Sequence, residues 1–204
     1  MSDETTFQNR RFILEIYKLL RNYDAEGNSP WDAVWYDGDD EDLYVLECPA
    51  KLLGIWKTPQ VRLEKRLSTP DIYGFQLYYA VNEMARDRLA RILGNTVEFL
   101  PIIDATIKIN LYVVHPLLRV DLDSNALTNR TRMVDNFTVI EKYSFSPDQF
   151  EEHMHLMTIL QGPGSAARDG GYSFGEVLVS SKFKSLCEAN HLKGVVFERV
   201  WSSD

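Results

Sequence analysis

Residues 176–201 read EVLVSSKFKSLCEANHLKGVVFERVW, and this stretch decides the fold. Val177, Leu178 and Val179 form a short apolar run that suits a strand. Ser180 or Ser181 follows, and a serine hydroxyl there can accept a hydrogen bond from an amide in the first turn of a helix. Phe183, Leu186, Cys187 and Asn190 fall on one stripe of that helix, apolar in its first three members. Gly194 allows the positive φ that chains often need just beyond a helix. Val195, Val196 and Phe197 then open a second strand that runs to Trp201. The unit is strand, helix, strand.

An earlier stretch, residues 75–103, repeats this grammar without a gap at an offset of 98 residues. Val81 stands where Val179 does, and Asn82 stands where Ser180 does as a helix cap. Ala85 and Leu89 take the stripe positions of Phe183 and Cys187. Val97 and Phe99 match Val195 and Phe197. Two readings stay open. Any two strand–helix–strand units of this length look alike, or the chain contains a pseudo-repeat with its helices in equivalent places.

Working outward, residues 10–21 fit a helical stripe (Phe12, Ile13, Ile16, Leu19, Leu20) and also a strand face (Phe12, Leu14, Ile16). Residues 31–36 form a short aromatic segment expected at a strand edge, and residues 37–42, DGDDED, form a turn before a short strand at 43–46. Residues 49–59 read as irregular, anchored by Leu52, Leu53, Ile55 and Trp56. Alternation over 61–67 predicts a half-exposed strand. Asn82 caps a helix that Gly94 closes. Residues 97–103, 111–120, 137–145 and 153–160 read as strands, with a bend or an edge at Pro116. Many strands and two main helices predict an α+β fold with mixed or antiparallel sheet. No linker is evident, so residues 1–204 are expected to form one domain, an acidic, aromatic part (1–60) joined to an α+β body (61–204).

The chain has 204 residues, 45% hydrophobic and 25% charged, which is ordinary for a globular protein. No apolar run approaches the roughly 20 residues of a membrane span. The opening MSDETTFQNRRF lacks a basic start and an apolar core, so no secretory signal is expected. Cys48 and Cys187 are too few and too far apart for a disulfide scaffold or a Cys/His metal motif, and a reducing cytoplasm is the simplest setting.

The net charge of −8 is local. Nine acids face only Arg21 between residues 21 and 47, whereas the rest of the chain balances at 21 acids and 21 bases. Nucleic acid is therefore not an expected partner, because its binding depends on basic residues at phosphates. A basic protein fits better, since complementary fields speed encounter.

The inventory for chemistry is short. His153 and His155 are two apart on an expected strand, and so share a face, with Glu151 and Glu152 beside them. A metal site would need a third ligand. Asp37, Asp39 and Glu41 match the opening of a calcium loop, but Asp42 stands where glycine is required and Cys48 where glutamate is. Glycines 162, 164, 170 and 171 lack the lysine and following helix of a phosphate loop. Cys187 lies on the apolar stripe and reads as packing. No catalytic residue, metal or cofactor is expected.

The succession VEFLPI (97–102), YVVHPLLRVDLD (112–123), VIEKYSF (139–145) and the closing unit 176–201 resembles immunity proteins of bacterial polymorphic toxin systems, immunity family eleven, formerly a domain of unknown function. The resemblance covers residues 97–201 well, 75–96 loosely, and 1–60 mainly as an opening strand and aromatic segment. It implies a cytoplasmic antidote, not an enzyme, that binds and blocks one cognate toxin domain. The residues themselves suggest where: the acidic turn Asp37, Asp39, Asp40, Glu41 and Asp42 as a rim toward a basic toxin surface, with Trp31, Trp35 and Tyr36 as anchors. The competing readings are a small hydrolase that reverses a toxin's modification, for which only Glu151–His155 offers a hint, and a non-catalytic regulatory subunit.

Overall fold

The computed structural model describes residues 14–21, 33–36, 45–46, 50–63, 70–75, 78–105, 109–122, 131–134, 137–140, 142–160 and 173–204. It is an α+β fold in which six strands close a barrel and five form an open sheet. In chain order the strands are β1 (Glu15–Arg21), β2 (Ala33–Tyr36), β3 (Gln60–Leu63), β4 (Ile72–Phe75) and β5 (Tyr78–Asn82). Helix α1 (Glu83–Leu93) precedes β6 (Val97–Asp104), β7 (Asn110–Pro116), β8 (Arg119–Asp121), β9 (Thr131–Val134), β10 (Phe137–Ile140), β11 (Leu156–Leu160) and β12 (Ser173–Ser180). Helix α2 (Ser181–Ala189) and β13 (Val195–Ser202) end the chain. The barrel runs β2-β3-β6-β7-β5-β4 and the sheet β13-β1-β12-β11-β8, while β9 and β10 pair as a hairpin. No helix among the described residues is long and apolar enough to cross a membrane.

Alternation places the cores. Within the barrel, Val61, Tyr73, Phe75, Ala80, Leu100, Ile102, Leu111 and Val113 point inward and are buried together. The alternate residues Tyr79, Val81, Val97 and Val114 point out of the barrel wall and meet Leu19, Leu156, Val177 and Val179 of the sheet. Both helices close this shared core, with Ala85, Leu89 and Leu93 from α1 and Phe183 and Cys187 from α2. The far face of the sheet buries Ile16, Met157, Ile159 and Leu178 under Tyr143, Phe145, Met154 and Trp201. The sheet is therefore covered on both sides. At about 25 cal/mol per Å² of apolar area, such burial is the main stabilising term.

That double burial settles the ambiguous opening segment. β1 is a strand, and Ile16 and Leu19 are both buried because they face different cores. A strand apolar on both faces loses its period-2 signal and imitates a helix stripe.

The two strand–helix–strand units have the same topology. β5 and β6 are each antiparallel to β7, which lies between them. β12 and β13 are each antiparallel to β1, which lies between them. The equivalences hold in detail. Asn82 Oδ1 accepts from Ala85 N at 2.8 Å, and Ser180 Oγ accepts from Phe183 N at 3.3 Å. Val81, Ala85 and Leu89 are buried, as are Val179, Phe183 and Cys187. β6 and β13 begin at the matching residues Val97 and Val195.

Asp71 ties the units together. Its backbone carbonyl accepts from Asn82 N, and its carboxylate accepts from Asn82 Nδ2 and from Lys193 N. The Lys193 carbonyl in turn accepts from the amides of Asp71 and Ile72. Gly194, at φ +112°, lies against Ile72 in this junction, and a Cβ there would overlap the Ile72 carbonyl oxygen.

Several sequence expectations are corrected. β2 is not an edge strand: it pairs with β3 on one side and β4 on the other. Val45 and Leu46 lie in a tight helical turn rather than in a strand. The strand expected over 137–145 ends at Ile140, and Tyr143 and Phe145 instead fold beneath the sheet. Pro116 does end β7, with β8 starting three residues later.

Candidate functional site

Trp31, Asp37, Asp39, Asp40, Glu41 and Asp42 lie outside the described residues. Trp35 and Tyr36 are in β2, where Trp35 pairs with Arg62 and Tyr36 with Val61. Two of the eight expected contact residues thus stand in a wall strand of the barrel. Tyr36, the last residue of β2, lies beside the start of β3, the end of that strand nearest Pro59 and Ile103.

The histidine pair is not brought together as a site. His153 precedes β11, is more than half exposed, and faces Glu151 at 3.4 Å. His155 is buried, its Nδ1 3.0 Å from Ser180 Oγ. Because that hydroxyl accepts from Phe183 N, its own proton is available for a neutral imidazole. Burial, reinforced by Lys182, lowers the His155 pKa from its ordinary value, in accord with that neutral form. The shared face expected from two-residue spacing fails because the strand begins only at Leu156. Cys187 is likewise committed to packing: burial pushes its thiol up to about 12, with Glu188 adding to the rise. Among the described residues no three His, Cys, Asp or Glu side chains gather as a metal cluster.

Neither a scan of protein-family models nor a search of curated proteins finds a match to the chain.

The structure assembles two polar constellations that the sequence did not suggest, and it exposes part of a loop, within the irregular stretch expected over 49–59, whose apolar residues were expected as anchors. On the covered face of the sheet, Lys18 Nζ donates to Glu176 Oε1 at 2.5 Å and to Tyr143 OH at 3.3 Å. Tyr143 OH donates to the other oxygen of Glu176. Burial, then the bond to Glu176, raises the Tyr143 pKa well above its ordinary value. This closed triad pins residues 142–150 to β1 and β12.

The second constellation is at the barrel. Glu98 shares its alternation with the inward Leu100 and Ile102, and the facing His115 shares that of Leu111 and Val113. His115 is fully buried, with Nδ1 3.6 Å from Glu98 Oε2. The Glu98 carboxylate accepts from Leu52 N at 2.5 Å and Leu53 N at 3.3 Å. A charged residue at an inward strand position was the available signal, since such a group must find partners.

Those two amides belong to the loop 51–57. Leu52 is buried against the barrel interior, and its carbonyl accepts from the amides of Ile55 and Trp56. Trp56 Nε1 donates to the Pro101 carbonyl at 2.8 Å. Leu53 and Ile55, expected as anchors into the core, are instead 59% and 74% exposed. The tight turn from Leu52 to Trp56 lets only its first and last apolar residues reach the barrel. Lys51 and Lys57 flank the turn, and both are exposed without an ion pair among the described residues.

A shallow groove of about 770 Å³ runs along α1. Two of its polar lining residues serve the framework: Asn82 caps the helix, and Arg88 donates to the Asn190 carbonyl at 2.9 Å.

Proposed function

We propose that this chain is a toxin-neutralising immunity protein, a non-catalytic binder that occludes one cognate toxin domain and protects the cell that makes both, acting in the cytoplasm. The similarity of residues 97–201 to immunity family eleven suggests the class. The observation that carries the reading is the placement of charge. All of the net −8 lies within residues 21–47, and that segment passes through β2, a wall strand of a closed barrel. A localised block of acids attracts a basic partner, which raises the encounter rate and disfavours wrong partners. The reactive groups described above support the same reading, because His155, Cys187 and Glu98 are each engaged in holding the framework.

The test is co-purification with the C-terminal domain of a toxin encoded beside this chain, together with rescue of growth when both are expressed. Reversing the charges of Asp37, Asp39, Asp40, Glu41 and Asp42 is expected to weaken binding and to flatten its salt dependence. If those variants bind and protect as well as the parent, the acidic rim is wrong; if the parent neither binds nor protects, the function is wrong.

A further inference from the structure

We infer that loop 51–57 is the anchor of the interface, with Leu53 and Ile55 entering an apolar pocket on the toxin domain whose rim carries carboxylates toward Lys51 and Lys57. This rests on the function proposed above and names the surface and the chemistry of its partner.

Two exposed aliphatic side chains alone are unremarkable on a protein surface. What sets this loop apart is that it is held in shape from below. Glu98 accepts from two of its amides, Leu52 closes a turn through two more, and Trp56 is fastened by its indole to Pro101. Leu52 is the buried plug, so Leu53 and Ile55 have no route inward. At the tip between them, Gly54 has no heavy atom within 4 Å of where its Cβ would be, so the tip stands clear of the body. An apolar tip already held in shape has little conformational freedom left to lose on binding.

The flanking charges select the pocket. The two exposed lysines bracket the apolar tip, and the complement is an apolar depression edged by acids. A lipid surface would also accept a basic, apolar tip, but it has no shape for a fixed turn to match and is bound through a larger apolar face. Glu98 acts as a positioning residue: it touches the loop's backbone and not the partner.

The experiment uses the full chain and the purified toxin C-terminal domain encoded beside it. The double variant L53D/I55D is expected to melt with the parent, because both positions are exposed, and to bind about 30-fold or more weakly. K51E/K57E is expected to slow association while leaving the melt unchanged. W56F keeps the aromatic packing but removes the bond to Pro101; it should loosen the loop, seen as faster amide exchange at residues 52–55, and weaken binding about 10-fold through preorganisation. Equal binding by L53D/I55D and the parent overturns the loop assignment and leaves the immunity reading standing. Binding of the parent to vesicles containing anionic lipid, abolished in L53D/I55D, overturns it in favour of a membrane surface. A parent that fails to bind the toxin domain overturns the function and this partner together.

Discussion

Replacing Gly194 with alanine tests the junction on which the two halves of the molecule meet. The residue sits at φ +112°, a backbone state that L-residues rarely adopt. Holding alanine there costs on the order of 1–3 kcal/mol. The new methyl group would also overlap the Ile72 carbonyl oxygen and come within 2.9 Å of Pro70 Cβ. Ile72 is the first residue of β4 and its amide is bonded to Lys193, so the obstructing backbone cannot step aside alone. Overpacking of this kind adds roughly 1–3 kcal/mol. Together the two effects predict a loss of about 2–6 kcal/mol, and for a chain this size each kcal/mol lowers Tm by roughly 2–4 °C. The expected fall is about 10 °C in a thermal melt followed by circular dichroism. Two other glycines calibrate the result. Gly94 has φ +51° and ψ −127° with open space around it, so G94A should cost about 1–3 kcal/mol for backbone strain alone, without the overlap. Gly54 has ordinary φ and open space, so G54A should be neutral or slightly stabilising. If G194A melted within about 2 °C of G54A, the close approach of the α2–β13 turn to β4 would be refuted.

Three further outcomes are expected. N82A removes both the cap of α1 and a bond to Asp71, and should lose about 1 kcal/mol in urea denaturation, with N82S recovering most of it; equal loss in both would discount the cap. Tyr143 keeps its proton past the ordinary value of 10.0 because burial and the bond to Glu176 favour the neutral phenol. Its stabilisation is thus present below about pH 10 and is lost as pH rises further, where the unfolded chain releases its proton first. Denaturation midpoints taken from pH 8 upward should show that decline in the parent and a shallower one in Y143F; parallel curves would contradict it. Cys187, its thiol pushed up to about 12, should resist a thiol reagent at pH 8 in a C48S background and react fully in denaturant; rapid native labelling would disprove its burial.

Local grammar was legible where one face of an element is wet. The caps at Asn82 and Ser180, the glycine that closes α1 and the break at Pro116 stand where the sequence places them, because each depends on a single residue's backbone chemistry; the positive φ just after α2 falls instead on His191 (φ +53°), and Gly194 precedes β13. The 98-residue echo was visible as an alignment of residue types, but the strand inserted into each unit was not, since β7 and β1 reach their places through pairing that leaves no local mark. β1 hid its strand character because it is buried twice. The site was less legible. Leu53 and Ile55 were read as core because hydrophobicity alone suggests burial, and only the turn closed by the Leu52 carbonyl shows that they cannot turn inward. Glu98 and His115 look like surface residues until the parity of their strands places them with Leu100 and Val113.

The matching units differ in when their middle strand is made. In the first, β7 follows β6 directly, so residues 78–116 contain all that the unit needs as they leave the ribosome. In the second, β1 is made first and its two neighbours last, with Arg21 pairing to Val195 and Glu15 to Ser202. At roughly 5–20 residues per second, β1 waits on the order of ten to forty seconds for them. For that interval a strand apolar on both faces has neither neighbour, and the barrel is complete long before the sheet can be. Translation order therefore leaves β1 open to chaperones and to mispairing in the newborn chain until β12 and β13 are made.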